Sequence, residues 1–165
     1  MTNESLKLSV RLEALCAEGR PVHYGRKGEA VIRVGLTNEK QWLVEERHLA
    51  SNWGSGLARV LATPVLVAFC EECSRTAVDP LLPEGQKTVG TWVNVRHLAA
   101  TPPGMNVRAR AELIEVDGRR LRFRIEIQDD LERVGEAEHE RFVIDVDRFE
   151  RRITDKIRGH QEKSR

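Results

Sequence analysis

The stretch from Ala62 to Pro80, ATPVLVAFCEECSRTAVDP, sets the tightest limit on what this chain can fold into. Thr63 is placed to act as a helix N-cap, its hydroxyl accepting a free backbone N–H. Pro64 then falls at the first helical position, where its missing N–H costs nothing. The run ends before Pro80. Between these limits the residues are apolar on nearly every side, so the predicted helix has to be buried rather than lie on a surface. Two carboxylates, Glu71 and Glu72, interrupt it, and acid on a buried helix is costly unless paired or used.

The rest of the chain supplies strands to cover that helix. AVIRVGL (30–36) and QWLVEE (41–46) read as two short strands, and RHLASNWGSG (47–56) as a loop. After the helix come TVGTWVNVRHL, a turn ATPPGM, NVRARAELIEV, RRLRFRIEIQ, a turn DDLER, and VGEAEHERFVIDV. Asp117–Gly118 predicts a type I′ hairpin turn, which needs positive φ at both central residues. In the strand after it Leu121, Phe123, Ile125 and Ile127 alternate with Arg122, Arg124, Glu126 and Gln128, one face apolar and one polar. One buried helix followed by a four-strand antiparallel meander is an α+β pattern, with the sheet curled round the helix.

Residues 1–28 read as an N-terminal extension. Leu8, Leu12, Leu15 and Cys16 have helical spacing, while Leu6, Leu8, Val10 and Leu12 alternate like a strand; the reading adopted is a helix ending at Gly19. Residues 29–150 form the domain, and 151–165 a polar tail, a solvated helix or frayed end.

A chain of 165 residues with 32% charged residues suits one soluble domain. The net charge of +1 gives no reason to expect nucleic acid or an anionic membrane as partner. No apolar run approaches the ~20 residues needed to cross a bilayer, and no signal peptide is evident. Three cysteines without an export signal point to a reducing cytoplasm.

Glu71 lies about two turns after Thr63, close enough in angle to share its side of the helix. Glu72 is rotated away by about 100° and reads as a solvated or ion-paired neighbour. His97 ends a strand beside Arg96; a carboxylate within reach would orient its ring and raise its basicity. Cys70 and Cys73 form one C-x-x-C, too few ligands for zinc and too deep in a helix for a thioredoxin-type pair, so they read as small core residues. Arg141, within a strand, reads either as a cross-strand ion-pair partner or as a group that holds a site.

The stretch VLATPVLVAFCEECSRTAVDPLLPEGQKTVGTWVNVRHLAATPPG, with VDGRRLRF and GEAEHERFVI, closely resembles the fluoroacetyl-CoA thioesterase-like family. The resemblance covers roughly Gly35 to Phe149 and implies a hot-dog fold, a homodimer and hydrolysis of acyl-CoA thioesters. It matches the family's Thr, Glu and His to Thr63, Glu71 and His97. The Gly before the strand of His97 matches Gly90, and the Arg after His-Glu matches Arg141. Trp53 is the nearest aromatic in the region of the family's lid, where Gly54 and Leu57 also lie, and it joins Gly90 and Arg141 as a substrate-binding candidate. Glu71 is expected to pair with His97 as acid and base, or to attack the thioester itself; Thr63 and backbone N–H groups such as that of Gly90 would stabilise the oxyanion. No metal or prosthetic group is expected, CoA being part of the substrate. Competing readings are an acyl-CoA-binding module without turnover, a hot-dog hydratase or dehydratase, and a structural domain with a redox-active cysteine pair. Low aromatic content, 5%, points to small or aliphatic acyl groups.

Overall fold

The face carrying Leu121, Phe123, Ile125 and Ile127 is fully buried, and it is the floor on which the domain is built. It belongs to β4 (Arg120–Asp129), the middle strand of a five-stranded antiparallel sheet in the order β1–β3–β4–β5–β2. The others are β1 (Thr37–Leu43), β2 (Gln86–His97), β3 (Asn106–Asp117) and β5 (Arg133–Asp145). Helix α1 (Thr63–Val78) packs on that floor through Val65, Leu66, Phe69, Cys70 and Cys73. Helix α2 (Val146–Lys163) follows β5. The computed structural model describes residues 32–163. The expected helix ending at Gly19 lies outside them.

Several expectations are corrected. The runs at 30–36 and 41–46 are not two strands. Ile32–Leu36 is extended chain and a turn, closed by a Leu36 N–H to Arg33 carbonyl bond of 3.1 Å with Gly35 at φ +87°. The single strand β1 forms instead over the polar TNEKQWL, because register with β3 (Thr37 opposite Glu112, Leu43 opposite Asn106) sets it and one face suffices at an edge. The four-strand meander is really three strands, β3–β4–β5. β2 pairs with β5 alone, since the ATPPGM segment is a crossover rather than a hairpin turn. Its Thr101 carbonyl accepts from Leu61 N–H, and Gly104 N–H donates to the Val44 carbonyl beside β1.

At the β3–β4 turn Asp117 pairs with Arg120, so Gly118 and Arg119 are the central residues. Gly118 takes φ +56° and no non-glycine residue has positive φ among the described residues, which is the pattern of a II′ rather than a I′ turn. The N-cap of α1 is Ala62, not Thr63; Thr63 is the first helical residue and its hydroxyl serves another partner. Nor is α1 covered all round. Pro64, Ala68 and Arg75 are exposed, with Val67 and Glu71 half-buried beside them, forming one open stripe. Finally, the boundary drawn at 150/151 falls inside α2, a continuous helix that buries no residue.

Candidate active site

The start of α1 brings a hydroxyl and an imidazole together. Thr63 Oγ1 lies 3.0 Å from His97 Nδ1, so the last residue of β2 meets the first of the helix. His97 Nε2 is buried without a hydrogen-bond partner among the described residues. Burial lowers the His97 pKa, so the ring is neutral at neutral pH. The Val65 and Leu66 N–H groups both donate to the Ala62 carbonyl at 3.0 Å, and Pro64 has no N–H. The Thr63 N–H is thus the amide of this first turn that no acceptor among the described residues satisfies. Amides at a helix start carry partial positive charge and favour a developing anion. A cleft of about 370 Å³ opens over this pair, lined by Ser55, Leu57, Val60, Leu98 and Ala99 among others.

Glu71 sits elsewhere. Eight residues of helix separate it from Thr63, about 12 Å along the axis, and the structure does not bring it to His97 within one chain. Its carboxylate rests on Gly90: a Cβ added there would overlap Glu71 Oε1. Thr91 is an extra residue in the β2–β5 register at this point, since Gly90 pairs with Arg141 and Trp92 with Glu140. A bulge of this kind re-aims backbone beside a site. Glu71 accepts no hydrogen bond among the described residues, and its nearest basic nitrogen is His139 Nε2 at 3.9 Å.

Behind Glu71 lies a buried polar network. His139 is fully buried, and its Nδ1 is 2.7 Å from the Trp92 carbonyl. A carbonyl only accepts, so Nδ1 carries the proton. Arg141 donates to the other ring nitrogen, Nε2, at 3.1 Å. Arg141 also donates from Nε to Thr88 Oγ1 (2.8 Å) and from a terminal nitrogen to the Thr88 carbonyl (3.0 Å). Thr88 in turn donates its hydroxyl to Asp79 Oδ1 at 2.6 Å. Burial, with the Arg141 charge adding to it, lowers the His139 pKa and keeps the ring neutral. Arg141 is 4% exposed and makes no ion pair among the described residues.

Glu72 is bonded to Lys40 Nζ and, at 3.2 Å, to Trp42 Nε1, and the Lys40 contact holds its carboxyl below the usual range. Cys70 and Cys73 are buried free thiols; burial pushes Cys70 up to about 12. Trp53 lies outside the cleft, its indole donating to the Arg47 carbonyl at 2.8 Å. Among the described residues no cluster of His, Cys, Asp and Glu has the geometry of a metal site, and no helix is long and apolar enough to cross a membrane. Sequence reasoning missed His139, Thr88 and Asp79. The signal for His139 is its alternation with Ala137, Arg141 and Val143 on the inward face of β5.

Comparison with known proteins follows the same residues. The family described as FlK, fluoroacetyl-CoA-specific thioesterase, matches residues 44–147. The fluoroacetyl-CoA thioesterase of Streptantibioticus cattleyicolor is 39% identical over 97 residues, 59% of this chain and 70% of that protein. The crystal structure of a point variant of the fluoroacetyl-CoA-specific thioesterase FlK superposes with TM-score 0.73 at 31% identity, covering 79% of this chain and 99% of that one. A Thermus thermophilus protein described as a thioesterase superfamily member gives TM-score 0.73 at 25% identity, covering 80% and 97%. The architecture is the hot-dog thioesterase fold.

Proposed function

The chain belongs to the fluoroacetyl-CoA-specific thioesterase family, whose members are acyl-CoA thioesterases, and on that premise we propose that Thr63, His97 and Glu71 carry out the hydrolysis. The observation that bears most weight is the Thr63–His97 contact of 3.0 Å at a helix start, under an open cleft. His97 Nδ1–H donates to Thr63 Oγ1. That leaves the Thr63 hydroxyl proton and the Thr63 N–H free for the thioester oxygen as it becomes an oxyanion, and it leaves the Nε2 lone pair free to act as base. The Glu71 carboxylate, free of hydrogen bonds, attacks the carbonyl carbon. The C–S bond breaks and CoA leaves as thiolate, a good leaving group because thiols ionise near pH 8.5. Water then attacks the acyl carbon of the anhydride and gives its proton to His97 Nε2. The acid product and the Glu71 carboxylate are released, and His97 returns its proton to solvent or thiolate. No metal or prosthetic group enters the scheme, and CoA takes part only as substrate.

One chain does not hold Glu71 against His97, so the scheme requires a homodimer. Two features support one. β2 is a twelve-residue edge strand with no partner on its outer side among the described residues, and exposed edges of this length favour pairing. The open stripe of α1 lies on the same side of the domain as the inward face of β2. Antiparallel pairing of two β2 strands, centred between Val93 and Asn94, sets Gly90 of one opposite the same strand's end in the other. Glu71, resting on Gly90, then faces the Thr63–His97 pair of the second protomer. The aliphatic cleft, with Gly54 and Leu57 in the lid region, favours small or aliphatic acyl groups. The cytoplasm is the compartment, in keeping with two buried free thiols. Thiol release from a panel of acyl-CoAs, fluoroacetyl-CoA included, tests the reading. Glu71→Gln and His97→Asn should each lower kcat by ~10-fold or more with the fold intact; binding without thiol release by the wild type would overturn it.

A further inference from the structure

We infer that His139 is a positioning residue of this site, one that holds the Arg141 cation away from Glu71 and so keeps the Glu71 carboxylate free to react. The inference rests on the reading of Glu71 as the reacting carboxylate. Its ground is the geometry behind Gly90. Among the described residues Arg141 is buried without an ion pair, and Glu71 is the carboxylate of this region that accepts no hydrogen bond. A buried guanidinium and a nearby unpaired carboxylate attract strongly, and the ordinary outcome is a bidentate pair. Such a pair would take both Glu71 oxygens out of the chemistry. The structure shows no such pair. Arg141 is instead turned back into the sheet by Thr88 Oγ1, the Thr88 carbonyl and His139 Nε2.

The tautomer of His139 is what makes this possible. The Trp92 carbonyl at 2.7 Å claims the proton on Nδ1, which leaves a lone pair on Nε2. That lone pair can accept from Arg141. It cannot donate to Glu71 Oε1, which lies 3.9 Å away. With the proton on Nε2 both effects reverse: the acceptor for Arg141 is lost and Glu71 gains a donor. The bulge at Thr91, which aims the Trp92 carbonyl at Nδ1, therefore acts on Glu71 through the ring.

Two amide replacements separate the two sides of the ring. His139→Asn keeps a donor near the Nδ1 position for Trp92 and removes the acceptor for Arg141. His139→Gln places an acceptor near the Nε2 position and gives up the Trp92 bond. Both are measured beside Glu71→Gln, with kcat, KM and Tm for each. The expected result is that His139→Asn lowers kcat by ~10-fold or more with KM within about threefold, and that His139→Gln restores most of that loss at a similar Tm. Equal damage in both variants, or more in His139→Gln, would mean that the residue matters only for packing and would overturn the inference. So would a His139→Asn variant with full turnover while Glu71→Gln is inactive. Full turnover in Glu71→Gln would instead remove the reading of Glu71 on which the inference stands.

Discussion

Gly90→Ala is the smallest change that moves Glu71 without touching it. The added methyl carbon would overlap Glu71 Oε1 and lie 3.1 Å from His139 Cε1 and 3.5 Å from Glu71 Cδ. His139 is locked by Trp92 and Arg141 and cannot yield. The half-exposed Glu71 side chain can, so the carboxylate swings outward by about 1 Å to reach ordinary contact distance. A displacement of that size at a reacting group costs on the order of 10²-fold. Stability should move the other way or little, because replacing Gly in a strand gains about 0.5–1 kcal/mol of backbone entropy. The assay is thiol release at saturating acyl-CoA, with circular dichroism and Tm as controls. A kcat 10 to 100 times lower at unchanged Tm is expected. Wild-type kcat in a folded Gly90→Ala protein would refute the placement of Glu71 on Gly90 as the working geometry.

Three further outcomes follow from the same structure. His97 and His139 are both held neutral by burial, with folded pKa values below the ordinary 6.5; the unfolded chain binds protons more readily in that window, so stability is full above pH 6.5 and falls as pH drops from there toward the folded values. Tm measured from pH 8 to pH 5 should decline below pH 6.5, and kcat/KM should lose its base limb below pH 6.5 as well; a Tm flat to pH 5 would contradict the buried neutral rings. Cys70 is buried with its thiol pushed up to about 12, so native protein at pH 8 should resist alkylation at Cys70 and Cys73, and Cys70→Ala with Cys73→Ala should keep turnover while lowering stability by about 1–3 kcal/mol. Because α2 buries no residue, ending the chain after Glu150 should lower Tm by less than about 5 °C, the shift that ~1 kcal/mol gives in a domain of this size.

The strongly periodic parts were legible. Alternation along β4 named the four residues of the sheet floor, and a 100° rotation separated Glu71 from Glu72 before either had a partner. What failed did so for want of long-range information. The polar TNEK has no strand signal of its own and joins QWL in β1 through its register with β3. Nothing local in ATPPGM tells a crossover from a turn, so the place of β2 beside β5 could not be read. Thr63 was expected to cap the helix by the usual side-chain preference, but His97, 34 residues on, claims its hydroxyl. Helix rise separates Glu71 from Thr63, and the Thr63–His97 contact then carries that separation over to His97; the resemblance that pairs Glu71 with His97 says nothing of which chain each comes from. His139 has no local signal beyond its place in the alternation of β5; its partner, the Trp92 carbonyl, comes from another strand beside the bulge at Thr91.

The most direct test of the composite site is complementation between two inactive proteins. Glu71→Gln and His97→Asn are purified separately, mixed in equal amounts, partly unfolded to exchange protomers, refolded and assayed for thiol release. If Glu71 of one chain serves His97 of the other, each mixed dimer has one site with both native residues and one with neither. Random exchange then makes half the dimers mixed, and the mixture should recover about a quarter of wild-type activity, as the statistics of two-fold pairing require. If each chain holds its own complete site, every site in the mixture carries one replaced residue. Activity would then stay at the level of the single variants, and the shared site would be wrong.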